Sequence, residues 1–145
     1  MLMKFMQKTI IVPFQIDQYA VVRALWQRCE GVGLSSADAP ESIQFYLARN
    51  PGMSFVALHG AEVVGAILCG HDGRRGYIHH LAVDSHYRRA GIGRSLVEHC
   101  LQALQAVGIQ KCHLFIFHEN DNGRAFWEGI GWTWRQDVRV MSRQV

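Results

Sequence analysis

The stretch Arg88–Leu96, which reads RRAGIGRSL, constrains the fold of this chain more than any other feature. It follows the apolar run Tyr77–Val83, which is typical of a buried strand, and it opens a long pattern of helical periodicity. Gly91 and Gly93 lack a Cβ, so the backbone between strand and helix can curl closely around a ligand. The first amides of the helix have no acceptor within the helix, and together they favour a phosphate group. The sequence therefore predicts that this turn binds a phosphorylated cofactor.

Two common phosphate-binding patterns do not fit this turn. A dinucleotide fingerprint needs a third glycine where Leu96 stands, and an acidic residue about twenty positions later, where the chain reads Gly108–Cys112. A Walker loop needs a wider spacing between its glycines and a lysine after the second one, and the chain has neither here. What remains is Arg-x-x-Gly-x-Gly after a strand that ends in Leu-Ala-Val. The structural alternative for this pattern is a plain glycine turn that caps a surface helix.

The composition is that of one globular domain, which we expect to span residues 1–145. Apolar residues make up 49% and charged residues 19% of the chain, which is typical of a folded protein. The net charge of +3 is too small for the basic stripe that nucleic-acid binding usually requires. The apolar part of the N-terminus is too short for a signal peptide, and no apolar run approaches the roughly 18 residues of a membrane span. We therefore expect a cytoplasmic protein that binds neither nucleic acid nor membrane.

The cysteines and histidines form no recognisable metal-binding pattern. The chain has four cysteines, Cys29, Cys69, Cys100 and Cys112. They contain no Cys-x-x-Cys pair, and we expect buried free thiols in a reducing compartment. His79 and His80 are adjacent, and in a regular strand their side chains would point to opposite faces. We therefore predict no metal site.

The order of elements predicts an α+β, or mixed α/β, sheet protein. Helices are predicted from an N-cap at Asp17 to about Cys29, from Pro40 to Asn50, at Gly91–Val107 and at Gly123–Gly129. Strands are predicted at Thr9–Pro13, Ser54–Leu58, Glu62–Gly70, Tyr77–Val83, Lys111–Phe117 and Trp132–Val140. The two strands that flank the Gly91–Val107 helix should be parallel, because a crossover helix joins them.

A second motif adds to the first. The segment Asn120–Trp132, NDNGRAFWEGIGW, resembles the closing pattern Asn-x-x-Ala/Gly-x-x-Phe-Tyr-x-x-x-Gly-Phe of the GNAT acetyltransferase superfamily. The Arg-x-x-Gly-x-Gly turn resembles the pyrophosphate loop of the same superfamily, and with the element order the resemblance covers nearly the whole chain. It implies a GNAT-like central mixed, mostly antiparallel sheet with a splayed parallel strand pair and helices on both faces. It also implies an N-acetyltransferase that moves an acetyl group from acetyl-CoA to a primary amine by direct attack in a ternary complex.

The resemblance implies a set of cofactor-binding residues. Leu81 and Val83 should offer backbone groups to the pantetheine arm, and the amides of the glycine turn should hold the pyrophosphate. The arginines of the turn should add charge, with at least one of them merely solvated, and Asn120 should touch the pantetheine amide. The implied residues are Leu81, Ala82, Val83, Arg88, Arg89, Ala90, Gly91, Ile92, Gly93, Arg94, Ser95, Asn120 and Trp127.

A general base is needed because the acceptor amine must lose a proton. By period-two alternation, Tyr77, His79, Leu81 and Val83 should share one strand face, and some amine acetyltransferases of the superfamily carry their base there. We predict His79 as the base, directly or through water, and expect Tyr77 to shape the amine pocket or act as the acid. The structural alternative is that His79 packs in the sheet with a satisfied hydrogen bond. His80 is expected to face away.

One position departs from the family. Trp127 stands where the family has the Tyr that usually protonates the leaving thiolate. An indole donates a hydrogen bond but does not titrate usefully, so another acid serves or the thiolate leaves unassisted. The departure supports a second hypothesis, a non-catalytic acyl-CoA-binding module. A third, a nucleic-acid-binding domain that uses the arginine loop, predicts steeply salt-dependent DNA binding.

The acceptor is not encoded by a recognisable motif, and a small-molecule amine and a protein amine both stay open. Glu30, Asp38 and Glu41 lie in the region that helps to form the acceptor site in the family, and we expect each to be solvated. Family members often pair through their C-terminal strands, so Trp132 and Trp134 could support a homodimer. A place for both rings in the core is the alternative that we favour.

Overall fold

Runs of apolar residues build a five-stranded sheet in the part of the chain that ends at Phe115. Its strands are, in spatial order, β1 (Thr9–Pro13), β2 (Phe55–His59), β3 (Glu62–His71), β4 (Gly76–Val83) and β5 (Cys112–Leu114). Neighbours from β1 to β4 run antiparallel, whereas β4 and β5 run parallel. The computed structural model describes residues 8–145, which divide into this unit and a second one, Ile116–Val145. The prediction of a mostly antiparallel sheet with one parallel pair is confirmed.

The α-helices of residues 8–145 are α1 (Tyr19–Arg28), α2 (Pro40–Arg49), α3 (Ile92–Ala106) and, in the second unit, α4 (Asp121–Gly129). They lie close to the predicted helices. Asp17 is not the N-cap of α1, because it lies in a 3₁₀ turn that leads into the helix, and Gln18 is the cap. Pro40 occupies the first turn of α2, where its missing N–H is not needed. None of the described helices is long and apolar enough to span a bilayer.

The sheet of the first unit is covered on both faces. On one face, Val22, Leu25 and Trp26 of α1 are fully buried in a cluster that also contains Ala66 and Leu68 of the sheet. The other face packs against α3. A Cβ built on Gly76 of β4 would lie 2.5 Å from Leu104 Cδ1 of that helix, so the two elements touch without a side chain between them. Helices on both faces of the sheet were predicted, and the structure confirms them.

A β-bulge interrupts the pairing of β3 with β4. His79 lies opposite Leu68 and Ala82 lies opposite Ala66, so one extra residue is inserted in β4 between the two pairs. His80 takes up this residue in a left-handed conformation with φ of 54°. Because residues that lie opposite each other share a face, His79 and Ala82 both lie on the face that α1 covers. The prediction that Tyr77, His79, Leu81 and Val83 alternate on one face is therefore wrong beyond His79.

The alternation of side chains between the two faces of the sheet is also shifted at the end of β4. Val83 lies opposite Gly65. A Cβ built on Gly65 would approach Leu96 and Ile92, so this position faces α3. Val83 therefore belongs to the face opposite to that of His79, and a regular strand would have placed both on the same face.

The C-terminal segment differs most from its prediction. Residues 132–140 form no strand in the second unit, and β5 spans only Cys112–Leu114 of the predicted 111–117. Trp132 packs its ring on that of Trp127 at 4.9 Å, and the guanidinium of Arg124 lies 4.1 Å from the centre of the Trp134 ring. Both rings are half-buried rather than part of a closed core. Apolar alternation alone does not make a strand, because its backbone groups also need a partner to pair with.

The cysteines are free thiols, as predicted. Cys29, Cys69 and Cys100 are buried and Cys112 is half-buried. Burial raises the pKa of the Cys112 thiol to about 12, and the neighbouring Cys69 thiol and burial raise that of Cys100. Thiols that stay protonated in this way are unreactive at neutral pH.

Candidate active site

The parallel pair β4–β5 opens at its end. Pairing covers Gly76 with Cys112, Tyr77 with His113 and Ile78 with Leu114, and β5 ends there while β4 continues to Val83. The edge of β4 from residue 79 to residue 83 is thus without a partner in β5. Backbone groups on such an edge need another partner, and an extended ligand with amide groups can supply one. The family resemblance implies a splayed strand pair at this place, and the early end of β5 leaves room for one.

The turn after β4 leads directly to an uncapped helix. Arg89 and Gly91 are both left-handed, with φ of 63° and 81°. Gly91 is the N-cap of α3, and no side chain caps this helix end. Ser95 N–H donates to Gly91 O at 3.0 Å, so the amides of residues 92–94 are the free donors of the first turn. A Cβ built on Gly91 would meet nothing within 4 Å, so this end of the helix is open.

The side chains of this turn divide into two groups. Ile92 is buried with 6% exposure, as is Ala82 with 3%, so only their backbone atoms can reach a ligand. Arg89 and Arg94 are exposed and free to turn toward an anion. Arg88 is exposed as well, and it donates from Nε to the Val83 carbonyl at 3.1 Å. The free amides and two free arginines fit a diphosphate.

Asp84 anchors the start of the turn. Its carboxylate accepts from Arg28 at 2.8 Å and from the His86 N–H at 2.9 Å, and its own N–H donates to Val64 O at 2.8 Å. The Arg28 guanidinium and the His86 N–H lower the pKa of Asp84 to about 2. The charged carboxylate therefore ties the turn to α1 at every physiological pH, and the backbone N–H of Asp84 ties it to β3.

His79 lies at the point where β4 leaves β5. Its ring is surrounded by other rings, Tyr46 of α2 at 6.3 Å, Phe115 at 6.3 Å and His80 at 6.4 Å. Burial, and secondly the neighbouring His80, lower the pKa of His79 below its ordinary value of 6.5, while Asp38 opposes this shift. The imidazole is therefore mostly neutral near pH 7, which is the state that accepts a proton.

Tyr77 lies on the same face as His79, one step earlier in β4. Its ring stacks on that of Phe115 at 6.5 Å and lies 5.8 Å from the ring of His113. Beside this group, the Tyr46 hydroxyl is buried and has no hydrogen-bond partner among residues 8–145. Burial raises its pKa, so this hydroxyl stays protonated. Aromatic and imidazole rings thus line the α2 side of the open strand end.

The sequence predicts that the side chain of His80 faces away from that of His79, and this prediction is wrong. Its Nε2 lies 2.8 Å from Asp38 Oδ1, and its ring packs edge-on against Trp26 at 5.1 Å. The left-handed bulge residue turns the imidazole to the same face as His79. Asp38, predicted as a solvated carboxylate, is 4% exposed. The signal in the sequence was Ser35-x-x-Asp38 before Pro40, a capping box that fixes such a carboxylate locally.

Two predicted cofactor-binding residues lie in the second unit. Asn120 caps α4, and its Oδ1 accepts from the Gly123 N–H at 2.9 Å. Trp127 contacts the rings of Phe126 at 5.2 Å and Trp132 at 4.9 Å. Their roles toward a cofactor stay predictions.

Known proteins share both the sequence pattern and the architecture. Residues 19–132 match the acetyltransferase (GNAT) family. An acetyltransferase of Sodalis glossinidius is 31% identical over 133 residues, which are 91% of this chain and 92% of that protein. The structure of Ard1 from Thermoplasma volcanium superposes with a TM-score of 0.76 at 21% identity, over 86% of this chain and 82% of its own. The structure of the NatC complex bound to Gag peptide and CoA gives a TM-score of 0.71 at 26% identity, over 86% of this chain and 84% of the matched chain. The chain therefore belongs to the GNAT family of acetyltransferases and is an acetyl-CoA-dependent acyltransferase.

Proposed function

We propose that this acetyltransferase is an N-acetyltransferase that transfers the acetyl group to a primary amine by direct attack within a ternary complex. One observation carries the proposal. The pairing of β4 with β5 stops at Ile78, so His79 stands at the opening of an unpaired strand edge that leads into the uncapped N-terminus of α3. A single strand thus joins a candidate base to a candidate diphosphate site.

The open edge and the turn would hold acetyl-CoA, which supplies an activated thioester when bound. The residues that we assign to it are Leu81, Ala82, Val83, Arg89, Ala90, Gly91, Ile92, Gly93, Arg94, Ser95, Asn120 and Trp127. Backbone groups of the strand would bind the pantetheine amides, and the free amides of α3 would bind the diphosphate. We assign Arg88 to the same site, where it also donates to the Val83 carbonyl. The NatC structure, which contains CoA, supports this ligand.

His79 would take the proton of the attacking amine, directly or through one water molecule. A general base works best when it is unprotonated at the working pH and still close to neutrality in pKa. Burial favours the unprotonated imidazole by lowering the pKa of His79 below its ordinary value. Strand N–H groups near the thioester carbonyl would stabilise the oxyanion that forms when the amine attacks.

Trp127 cannot protonate the leaving thiolate, because an indole does not give up a proton near neutral pH. Thiols have pKa values near 8.5, so a thiolate can depart without prior protonation and take its proton from water. Tyr77 lies on the same face as His79 and carries a phenolic O–H, and we assign it to the wall of the amine pocket, with proton donation as its alternative role.

A non-catalytic acyl-CoA-binding module is the second candidate, and the Trp127 position is the observation that favours it. A screen of small amines and of peptides with free N-termini or lysines, with acetyl-CoA and detection of free CoA thiol, distinguishes the two. We expect thiol release that depends on the added amine. Tight CoA binding by calorimetry without turnover on any amine would establish the binding module instead.

A further inference from the structure

Asp38 is buried and makes several hydrogen bonds, although it lies in a short turn between two helices. It closes the 3₁₀ turn Ser36–Asp38 between α1 and α2. Its Oδ2 accepts from the Ser35 N–H at 3.0 Å, and its Oδ1 faces His80 Nε2 at 2.8 Å. Its carbonyl accepts from the Tyr19 hydroxyl, and from Arg23 at 3.4 Å. Its side chain is 6% exposed, and a carboxylate buried to this degree destabilises the fold unless it is paired.

His80 is held from three directions. Its Nε2 reaches Asp38, its ring packs on Trp26, and its carbonyl accepts from Trp26 Nε1 at 3.0 Å. Trp26 is fully buried, so this partner cannot move away. A residue with a side chain that adopts a left-handed conformation is strained, and such a conformation persists only when its surroundings determine it. The contacts of His80 thus maintain the bulge of β4.

The bulge in turn decides where His79 lies. His79 directly precedes it, and beyond it the strand presents its residues with reversed parity. We propose that the His80–Asp38 pair is a positioning element of the acyl-transfer site, which fastens the turn Ser36–Asp38 to the bulge of β4 and thereby holds His79 and the unpaired strand edge in their working arrangement. This inference rests on the proposed function.

The pair also sets the charge around His79. The titratable groups that face His79 are His80 on its own strand, Asp38 from the turn before α2, and the Tyr46 hydroxyl from α2, which stays protonated. His80 lowers the pKa of His79, and Asp38 raises it. Removal of the two partners should therefore shift the titration of His79 in opposite directions, upward without His80 and downward without the Asp38 charge. A pair that did not act on His79 would leave its titration unmoved, and the loss of kcat at constant CoA affinity reports the positioning itself.

Three variants test the inference in the full chain. Asp38→Asn keeps the shape of the side chain and removes its charge. His80→Gly removes the imidazole and accepts the left-handed backbone without strain. His59→Asn is the matched control, because His59 makes a comparable contact, Nδ1 to the Thr9 hydroxyl at 3.3 Å, on β2. The measurements are histidine titration by NMR without substrate, CoA affinity by calorimetry, and kcat against pH with the best amine of the screen.

We expect Asp38→Asn and His80→Gly each to lower kcat about 10- to 100-fold, which is the effect of a small misplacement of a catalytic group. CoA affinity should stay within about twofold of that of the wild type, and His59→Asn should match the wild type in every measurement. The acid limb of the kcat profile should follow the NMR titration of His79, downward for Asp38→Asn and upward for His80→Gly. If His80→Gly does not fold, the kcat of Asp38→Asn and the downward shift of its His79 titration test the inference on their own.

Wild-type kcat in Asp38→Asn, or an unmoved His79 titration, would overturn the inference. If instead the NMR titrations shift as expected but no amine is acetylated by any form of the protein, the pair acts on His79 as inferred, and it is the proposed function that fails. Failure of the inference about the His80–Asp38 pair is therefore distinguishable from failure of the proposed function.

Discussion

Replacement of Gly91 by Asp and by Asn tests the diphosphate site most directly. Both side chains have nearly the same size, and both are tolerated in the left-handed region better than other residues. The Cβ position at Gly91 is open within 4 Å, so neither substitution creates a clash, and the backbone cost of about 1–2 kcal/mol is common to both. The difference between them therefore isolates one negative charge at the end of α3.

The size of that difference follows from Coulomb's law. One charge about 4 Å from another contributes about 1 kcal/mol in water and about 4 kcal/mol near a protein surface, which is roughly a 5- to 1,000-fold change in affinity. We expect Gly91→Asp to bind CoA weaker than Gly91→Asn by a factor in this range. The factor should shrink when the ionic strength rises from about 0.1 M to 1 M, because the screening length falls from about 10 Å to 3 Å.

Isothermal titration calorimetry with CoA at the two ionic strengths measures both effects. Thermal unfolding of the two variants, which should agree, controls for the backbone cost. If Asp and Asn variants bound CoA equally, or if both bound it as the wild type does, the amides of residues 92–94 would not hold the diphosphate, and the assignment of the turn would be wrong.

Three further predictions concern the base, the packing and the anchor of the turn. His79→Gln should lower kcat about 10²- to 10⁴-fold with little change in CoA affinity, and a wild-type pH–rate profile in this variant would exclude His79 as the base. Gly76→Ala places a Cβ 2.5 Å from Leu104 Cδ1 and should destabilise the fold by about 1–3 kcal/mol in urea unfolding. The double variant with Leu104→Ala should lose less stability than the sum of the two single losses, because the shorter side chain removes the clash. A Gly76→Ala variant as stable as the wild type would contradict the packing. Because Arg28 and the His86 N–H lower the pKa of Asp84 from 3.8 to about 2, the stabilisation from this carboxylate should be nearly complete above about pH 4 and disappear as the pH falls toward 2. Asp84→Asn should lack this component in thermal unfolding scans across that range, and an unchanged pH dependence would refute it.

The conformation of the turn after β4 was predictable because its rules are local. Arg88 to Ser95 combine a strand end, left-handed glycine and a helix start within a few residues, and each of these follows from backbone sterics and free amides. The five paired strands and the four helices were predictable for a related reason, since apolar periodicity reports which face is buried. The prediction of a strand at residues 132–140 used the same reasoning and was wrong, because apolar periodicity does not show whether a neighbouring strand is available for pairing.

The sequence by itself therefore determined the family of the protein, the strand that carries the candidate base, and the turn that leads into the open helix end. Only the tertiary structure decided which histidine faces which way. The bulge at His80 depends on Trp26 and Asp38, which are 54 and 42 positions away in the chain. One extra residue in a strand reverses the direction of every side chain after it, and its position is chosen by the partners that pack against the strand, not by the strand's own pattern.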